Sequence, residues 1–227
     1  MTAALPDLIV FDTETTGVDV RRDRIVSAHI GRLSPSGELS WRADWIIDPG
    51  VPIPEGAAAV HGITTERAQA EGENAASAVA AIISTLTEHS QDGSPLVAYN
   101  ASYDLTLLAH EAERYGLERF EPRVVIDPLI IDKAVDRYRK GKRTLTAACE
   151  VYGVPLEDAH EASADAVAAG RLALALFDRF PELSARSLEE LHAQQVVWQR
   201  DQAESFAAWK RSNGSPDFVA DVGWPTR

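Results

Sequence analysis

The chain has one cysteine, Cys149, among 227 residues. No intramolecular disulfide can form, and so thiol-poor a composition fits the cytoplasm. No stretch approaches the ~18–20 consecutive apolar residues of a membrane span. The N-terminus lacks the basic segment and apolar run of a signal peptide. Net positive charge is missing too: 22 Lys and Arg face 35 Asp and Glu, a formal charge of −13. That balance argues against nucleic-acid binding through bulk charge and leaves room for a local basic strip. Internal repeats and low-complexity tracts are absent. The 45% hydrophobic content is enough for a sizeable core, and the length suits one domain plus an extension.

The most informative stretch is Leu8-Ile9-Val10-Phe11-Asp12-Thr13-Glu14-Thr15-Thr16-Gly17. Its apolar run reads as a short buried strand over 8–12. Asp12 and Glu14, two residues apart in extended chain, project from the same face. Two carboxylates so placed raise each other's pKa, and a hard divalent cation with oxygen ligands relieves that repulsion. Gly17 is expected to turn the backbone with a φ other residues resist.

Further strands are expected over 25–33 and 39–47, a meander with residues 8–12, followed by an irregular connection over 48–60 that holds three prolines and two glycines. In Val60-His61-Gly62-Ile63-Thr64, His61 reads as a loop residue before a helix N-cap at Thr64. His29, in the second strand, reads as structural. An alanine-rich helix over 74–89 starts from Asn74. Strand 96–99 leads through Asn100 into a helix with Asp104 in its first turn, and strand 123–127 follows, an alternation that implies a parallel crossover. Residues 137–143, Arg-Tyr-Arg-Lys-Gly-Lys-Arg, are the one dense basic run: either a solvated loop or a phosphate contact with Tyr138 available to stack. Cys149 falls in a helix over 144–152 and reads as core. His160 and Asp165 are five residues apart, ~140° around a helix, so they converge only if His160 lies just before the helix that runs to about Phe180. A last helix over 187–212 carries Leu188, Leu191, Trp198, Phe206 and Trp209 as its apolar face. Trp198, Trp209 and Trp224 are expected to pack this extension on the main domain or a second subunit.

Asp12, Glu14, Asp104 and Asp165 thus fall at element ends, where sites of open α/β sheets gather. An oxygen-only cluster suits Mg²⁺ or Mn²⁺, with His160 as a general base. The residues alone therefore point to two-metal phosphoryl chemistry.

The order and spacing of Phe11-Asp12-Thr13-Glu14-Thr15-Thr16-Gly17, Tyr99-Asn100-Ala101-Ser102-Tyr103-Asp104 and His160-Glu161-Ala162-Ser163-Ala164-Asp165, with Val60-His61-Gly62-Ile63-Thr64 between, resemble the DEDDh exonucleases, the group that includes the proofreading epsilon subunit of bacterial replicative polymerase. The resemblance covers residues 7–180. It implies an α/β, ribonuclease H-like fold with a five-stranded mixed sheet flanked by helices, an exonuclease domain over 1–180, and a helical extension with an irregular tail over 181–227. It implies 3′→5′ release of nucleoside 5′-monophosphates from single-stranded DNA in replication proofreading or repair. Trimming of RNA ends is the alternative, and an inactive nucleic-acid-binding module is the alternative of another class. Asp12, Glu14 and Asp165 would hold one metal ion, and Asp12 and Asp104 a second. His160 would deprotonate the attacking water. Thr13, Thr15, His61, Asn100 and Tyr103 would contact the terminal nucleotide, and Arg139, Lys140, Lys142 and Arg143 the strand. Asp127 would be structural support. The chain departs from the family pattern at Ala98-Tyr99-Asn100, where Gly-His-Asn is common, and at Tyr103, where Phe is common. The face over 187–212 is open to a second copy or a polymerase partner.

Overall fold

The four apolar side chains from Leu8 to Phe11 are fully buried at the start of strand β1 (Leu8–Thr15), which runs on through both carboxylates. A computed structural model describes residues 5–156 and 161–227. β1 pairs antiparallel with β2 (Ile25–Leu33), and β2 with β3 (Leu39–Asp48). On its other side β1 pairs parallel with β5 (Leu96–Val97), and β5 with β6 (Val125–Ile126). The two-residue β4 (Glu73–Asn74) extends the sheet beyond β3, giving the order β4-β3-β2-β1-β5-β6. The sheet is mixed and flanked by helices, as expected, with six strands where five were anticipated. The added strand is too short to leave a periodic signal.

Alternation along β1 divides the core. Ile9 and Phe11 pack with helices α3 (Ala75–His89) and α4 (Ala101–Arg114) on one face. Leu8 and Val10 pack on the other face with α5 (Pro128–Val135), α6 (Leu145–Tyr152) and α7 (Ala162–Arg179). Asp12 and Glu14 continue the even-numbered face, so they point to the side that α7 covers. α7 lies very close to β1 because residue 170 is glycine: a Cβ there would sit 2.4 Å from Val10 Cγ1. That approach brings the first turn of α7, with Asp165, to the end of β1.

A short helix α8 (Pro181–Ser184) precedes α9 (Leu188–Ser212). α9 opens on a capping box between Ser187 and Glu190 and lies along the edge strand β6. Its Gln195, fully buried, accepts from the Asp127 backbone N–H at 2.7 Å and donates to the Val125 carbonyl at 2.9 Å. A side-chain amide thus pairs backbone groups that an edge strand would otherwise leave open. Trp224 is buried and Trp198 packs partly against the core, as expected. Phe206 and Trp209 do not: they are 50% and 57% exposed. Helical spacing put them on an apolar face, but at that turn it is Ala207, fully buried, that faces the body.

Two local expectations change. The stretch read as an irregular connection contains α1 (Glu55–His61), and α2 (Thr65–Glu71) follows its expected N-cap at Thr64. His61 therefore ends a helix, with Gly62 behind it at φ 74°. Gly17 does not have a positive φ. It is small because a Cβ there would lie 2.6 Å from the Asp23 carboxylate, which holds the Thr16 hydroxyl at 2.9 Å. Cys149 is buried, as anticipated.

Candidate active site

Asp12 and Glu14 from β1 and Asp165 from α7 each offer a carboxylate oxygen within 4.8 Å of the others. All three are half-buried, and among the described residues they are the one group of His, Cys, Asp and Glu able to hold a metal ion in this way. Burial raises the Asp12 carboxyl well above the usual range, and the charges of Asp104, Asp165 and Glu14 raise it further. Glu14 is pushed up to about 8 by burial and then by Asp165 and Asp104. The donor set is therefore all oxygen, like-charged and close, which a divalent cation would stabilise.

Asp104 stands just outside that trio. It is buried in the first turn of α4, and its Oδ1 accepts the Thr13 hydroxyl at 2.6 Å. Burial pushes it up to about 7 against the pull of that hydroxyl. The spacing between Thr13 and Asp104 follows from the fold. Odd residues of β1 face α4, so Thr13 meets Asp104 while Asp12 and Glu14 meet Asp165.

The loop beyond β1 is tied to α4 by Tyr103, whose hydroxyl lies 2.8 Å from Thr15 Oγ1 and donates to the Gly17 carbonyl. A phenylalanine could make neither contact, so the departure at Tyr103 serves to fix the loop beyond β1. Asn100 takes a left-handed conformation, φ 65° and ψ 44°, before α4. Asp127 holds it there, accepting from the Asn100 and Ala101 N–H groups at 3.1 and 3.0 Å while capping α5 through Leu129 N–H at 2.9 Å. Even so, burial pushes Asp127 up to about 6. Tyr99 uses its hydroxyl on the Arg143 carbonyl at 2.8 Å.

A cavity of about 200 Å³ adjoins the trio, lined among others by Glu14, Trp45, His61, Ile63, Arg67 and Glu161. His61 Nδ1 accepts the Ile63 N–H at 3.2 Å, which places the ring proton on Nε2. That nitrogen is buried and has no partner of full hydrogen-bond geometry among the described residues. Burial lowers the His61 pKa, and the nearby Thr15 backbone offsets part of it. Trp45, Arg67 and Glu161 were not anticipated here.

The basic run divides. Arg139 and Arg143 grip the fully buried Asp132 at 2.6 and 2.8 Å, with side chains 9% and 16% exposed. Their guanidinium groups hold α5 to the loop. Lys140 and Lys142 are exposed. His29, read as structural, is buried with Nδ1 2.7 Å from Asp44. His160 lies outside the described residues.

Residues 9–173 match the family described as Exonuclease (RNase_T). Among curated proteins the chain is 32% identical over 184 residues to a DNA polymerase III subunit epsilon-like protein of Rhodobacter capsulatus, covering 79% of this chain and 24% of that protein. It is 30% identical over 173 residues to the PolC-type DNA polymerase III of Lacticaseibacillus paracasei, covering 76% of this chain and 11% of that one. The chain thus spans a quarter or less of these relatives. Among solved structures, the zinc-bound form of an E. coli exonuclease I complex with single-stranded DNA aligns with a TM-score of 0.69 at 20% identity, over 89% of this chain and 45% of that one. That likeness is one of fold, the ribonuclease H-like α/β architecture. The motifs, the fold and the family match agree, and the chain belongs to the RNase T-type exonuclease family, whose motifs are those of the DEDD 3′→5′ exonucleases.

Proposed function

We propose that this chain removes nucleoside 5′-monophosphates from the 3′ ends of single-stranded DNA by metal-dependent phosphodiester hydrolysis. The observation that carries the reading is the meeting of Asp12, Glu14 and Asp165 within 4.8 Å beside a cavity that His61 lines. The DNA strand in the exonuclease I complex and the polymerase names of the curated relatives support DNA as substrate and a proofreading or repair setting.

Asp12, Glu14 and Asp165 would hold one Mg²⁺ or Mn²⁺ ion, and Asp12 with Asp104 a second. Bound there, divalent ions would acidify a water and stabilise the departing 3′-oxygen. The protein's own part is positional. Tyr103 holds Thr15 and the Gly17 carbonyl, fixing the loop beside the terminal phosphate. His61 Nε2–H is a donor on the wall of the nucleotide cavity. Thr13 keeps Asp104 oriented. His160, two residues before α7, accepts the proton of the attacking water. The water oxygen bonds to phosphorus, the bond to the 3′-oxygen breaks, and that oxygen takes a proton from solvent to become the new 3′-hydroxyl.

The test uses matched 5′-labelled single-stranded DNA and RNA oligonucleotides with Mg²⁺, Mn²⁺, Zn²⁺ or EDTA. The expected result is a DNA ladder shortening from the 3′ end, lost in EDTA. Faster cleavage of RNA would transfer the reading to RNA ends. No cleavage of either by protein that binds the ion would refute it.

A further inference from the structure

Strands β1, β5 and β6 are parallel and adjacent, so their carboxyl ends form one edge. Along it lie the carboxylate trio, then Asn100, then Asp127 and α5. A cavity of about 260 Å³ begins at Asn100 and Ser102 and reaches Lys133, Gln202 and Phe206. Those three also line a larger groove of about 730 Å³ that continues past Arg137 to Trp209. With shared walls, the two form a trough along α9 that starts at Asn100, and its inner part is also lined by Asp127 and by the paired Asp221 and Arg227.

The trough carries cations and rings in search of a partner. Lys133 is half-buried and makes no hydrogen bond or ion pair within contact distance among the described residues, though the charges of Asp127 and Asp132 act on it; its neighbours Arg139 and Arg143 are both committed to Asp132. Arg137, four residues on, also lacks a carboxylate partner among them, and its guanidinium lies 5.9 Å from the Tyr138 ring. Opposite stand Phe206 and Trp209, 50% and 57% exposed. Their ring centroids are 6.0 Å apart and the planes differ by 20°. Lys210 Nζ lies 5.5 Å from the Phe206 centroid. Asp201 is the one carboxylate lining the outer groove. An apolar peptide would cover the rings and leave Arg137 unmatched. A single-stranded polynucleotide matches both, offering a π-face and a phosphate at each residue.

We infer that this trough binds the single strand upstream of its 3′ end. Bases stack on Phe206 and Trp209, and phosphates pair with Lys133 and Arg137. The inference rests on the proposed exonuclease reading, which puts the 3′ end of that strand at the trio. It gives the C-terminal extension a task in substrate binding.

The test is fluorescence anisotropy in EDTA, with 5′-labelled strands of about 20 and about 4 nucleotides, as DNA and as RNA. Binding is read without turnover, so failure of the trough and failure of the catalytic reading appear in different experiments. Phe206→Ala/Trp209→Ala removes two half-exposed rings, of which Phe206 also meets Phe218 of the tail, and its thermal midpoint serves as the folding control. Its Kd for the long strand should rise at least about tenfold, from ~1–3 kcal/mol per stacked base, and the preference for the long strand over the short one should vanish. Arg137→Gln, with both rings intact, should lower the slope of log Kd against log salt by about one. The sugar of the tighter long strand identifies the source of the ligand. An unchanged long-strand Kd in the double variant, or equal weakening for both lengths, would overturn the inference. So would a dimer of the wild type that the double variant dissociates without any change in Kd, which would make the surface a protein interface.

Discussion

At the scale of single residues, the site is built on stored repulsion. Burial and mutual charge hold Glu14 near about 8 and raise Asp12 and Asp104 with it. A carboxyl whose folded pKa is raised contributes stability below its unfolded pKa of ~4.3 that is lost as pH climbs through the folded value. Metal-free protein should therefore lose thermal stability between about pH 4.5 and 8, and Glu14→Gln should flatten that slope in differential scanning calorimetry. A flat wild-type profile would show that the carboxylates are not pressed together. Asp12→Asn should abolish hydrolysis yet leave the metal-free midpoint equal or higher, because it removes a repelling charge; retained activity would take Asp12 out of the site. The basic run offers a contrast within seven residues. Arg139→Ala leaves Asp132 buried with one cation fewer, a loss of ~3–5 kcal/mol expected for a broken buried pair. Lys140→Ala/Lys142→Ala should leave stability within ~0.5 kcal/mol. Urea denaturation of both variants decides, and equal effects would contradict the division.

At the scale of elements, the carboxylates were legible because a period-two strand puts Asp12 and Glu14 on one face. Their meeting with Asp165 needs α7 seated against β1, which depends on the single glycine at 170 and carries no periodic signature. Gly170→Ala should cost ~1–3 kcal/mol through overpacking against Val10 and lower activity by shifting Asp165; full stability and activity would show that α7 tolerates a wider gap. Helix α1 was hidden because its seven residues follow three prolines, although Pro54 supplies an extended entry to it. Gly17 was expected to meet a conformational need, and instead it leaves space beside the Asp23 carboxylate. A conformational need and a spatial one look alike in sequence, and only the position of Asp23 separates them. Phe206 and Trp209 misled because large rings dominate an apolar stripe, whereas the residue that meets the body at that turn is the small Ala207.

At the scale of the whole molecule, α9 closes the β6 edge through Gln195 and returns the tail so that Trp224 is buried. Cutting the chain after residue 180 should expose that edge and lower the thermal midpoint by more than 10 °C, or drive aggregation. A stable fragment over 1–180 would instead make the extension an appendage. The central claim is that the trio binds the ions that drive cleavage, and titration calorimetry of Mn²⁺ into the protein tests it most directly, with thymidine 5′-monophosphate present as product. Wild type should take up two ions, with affinity rising from pH 6 to 8 as the carboxyls ionise, and Asp12→Asn should lose both. Unaltered uptake in Asp12→Asn would contradict the account.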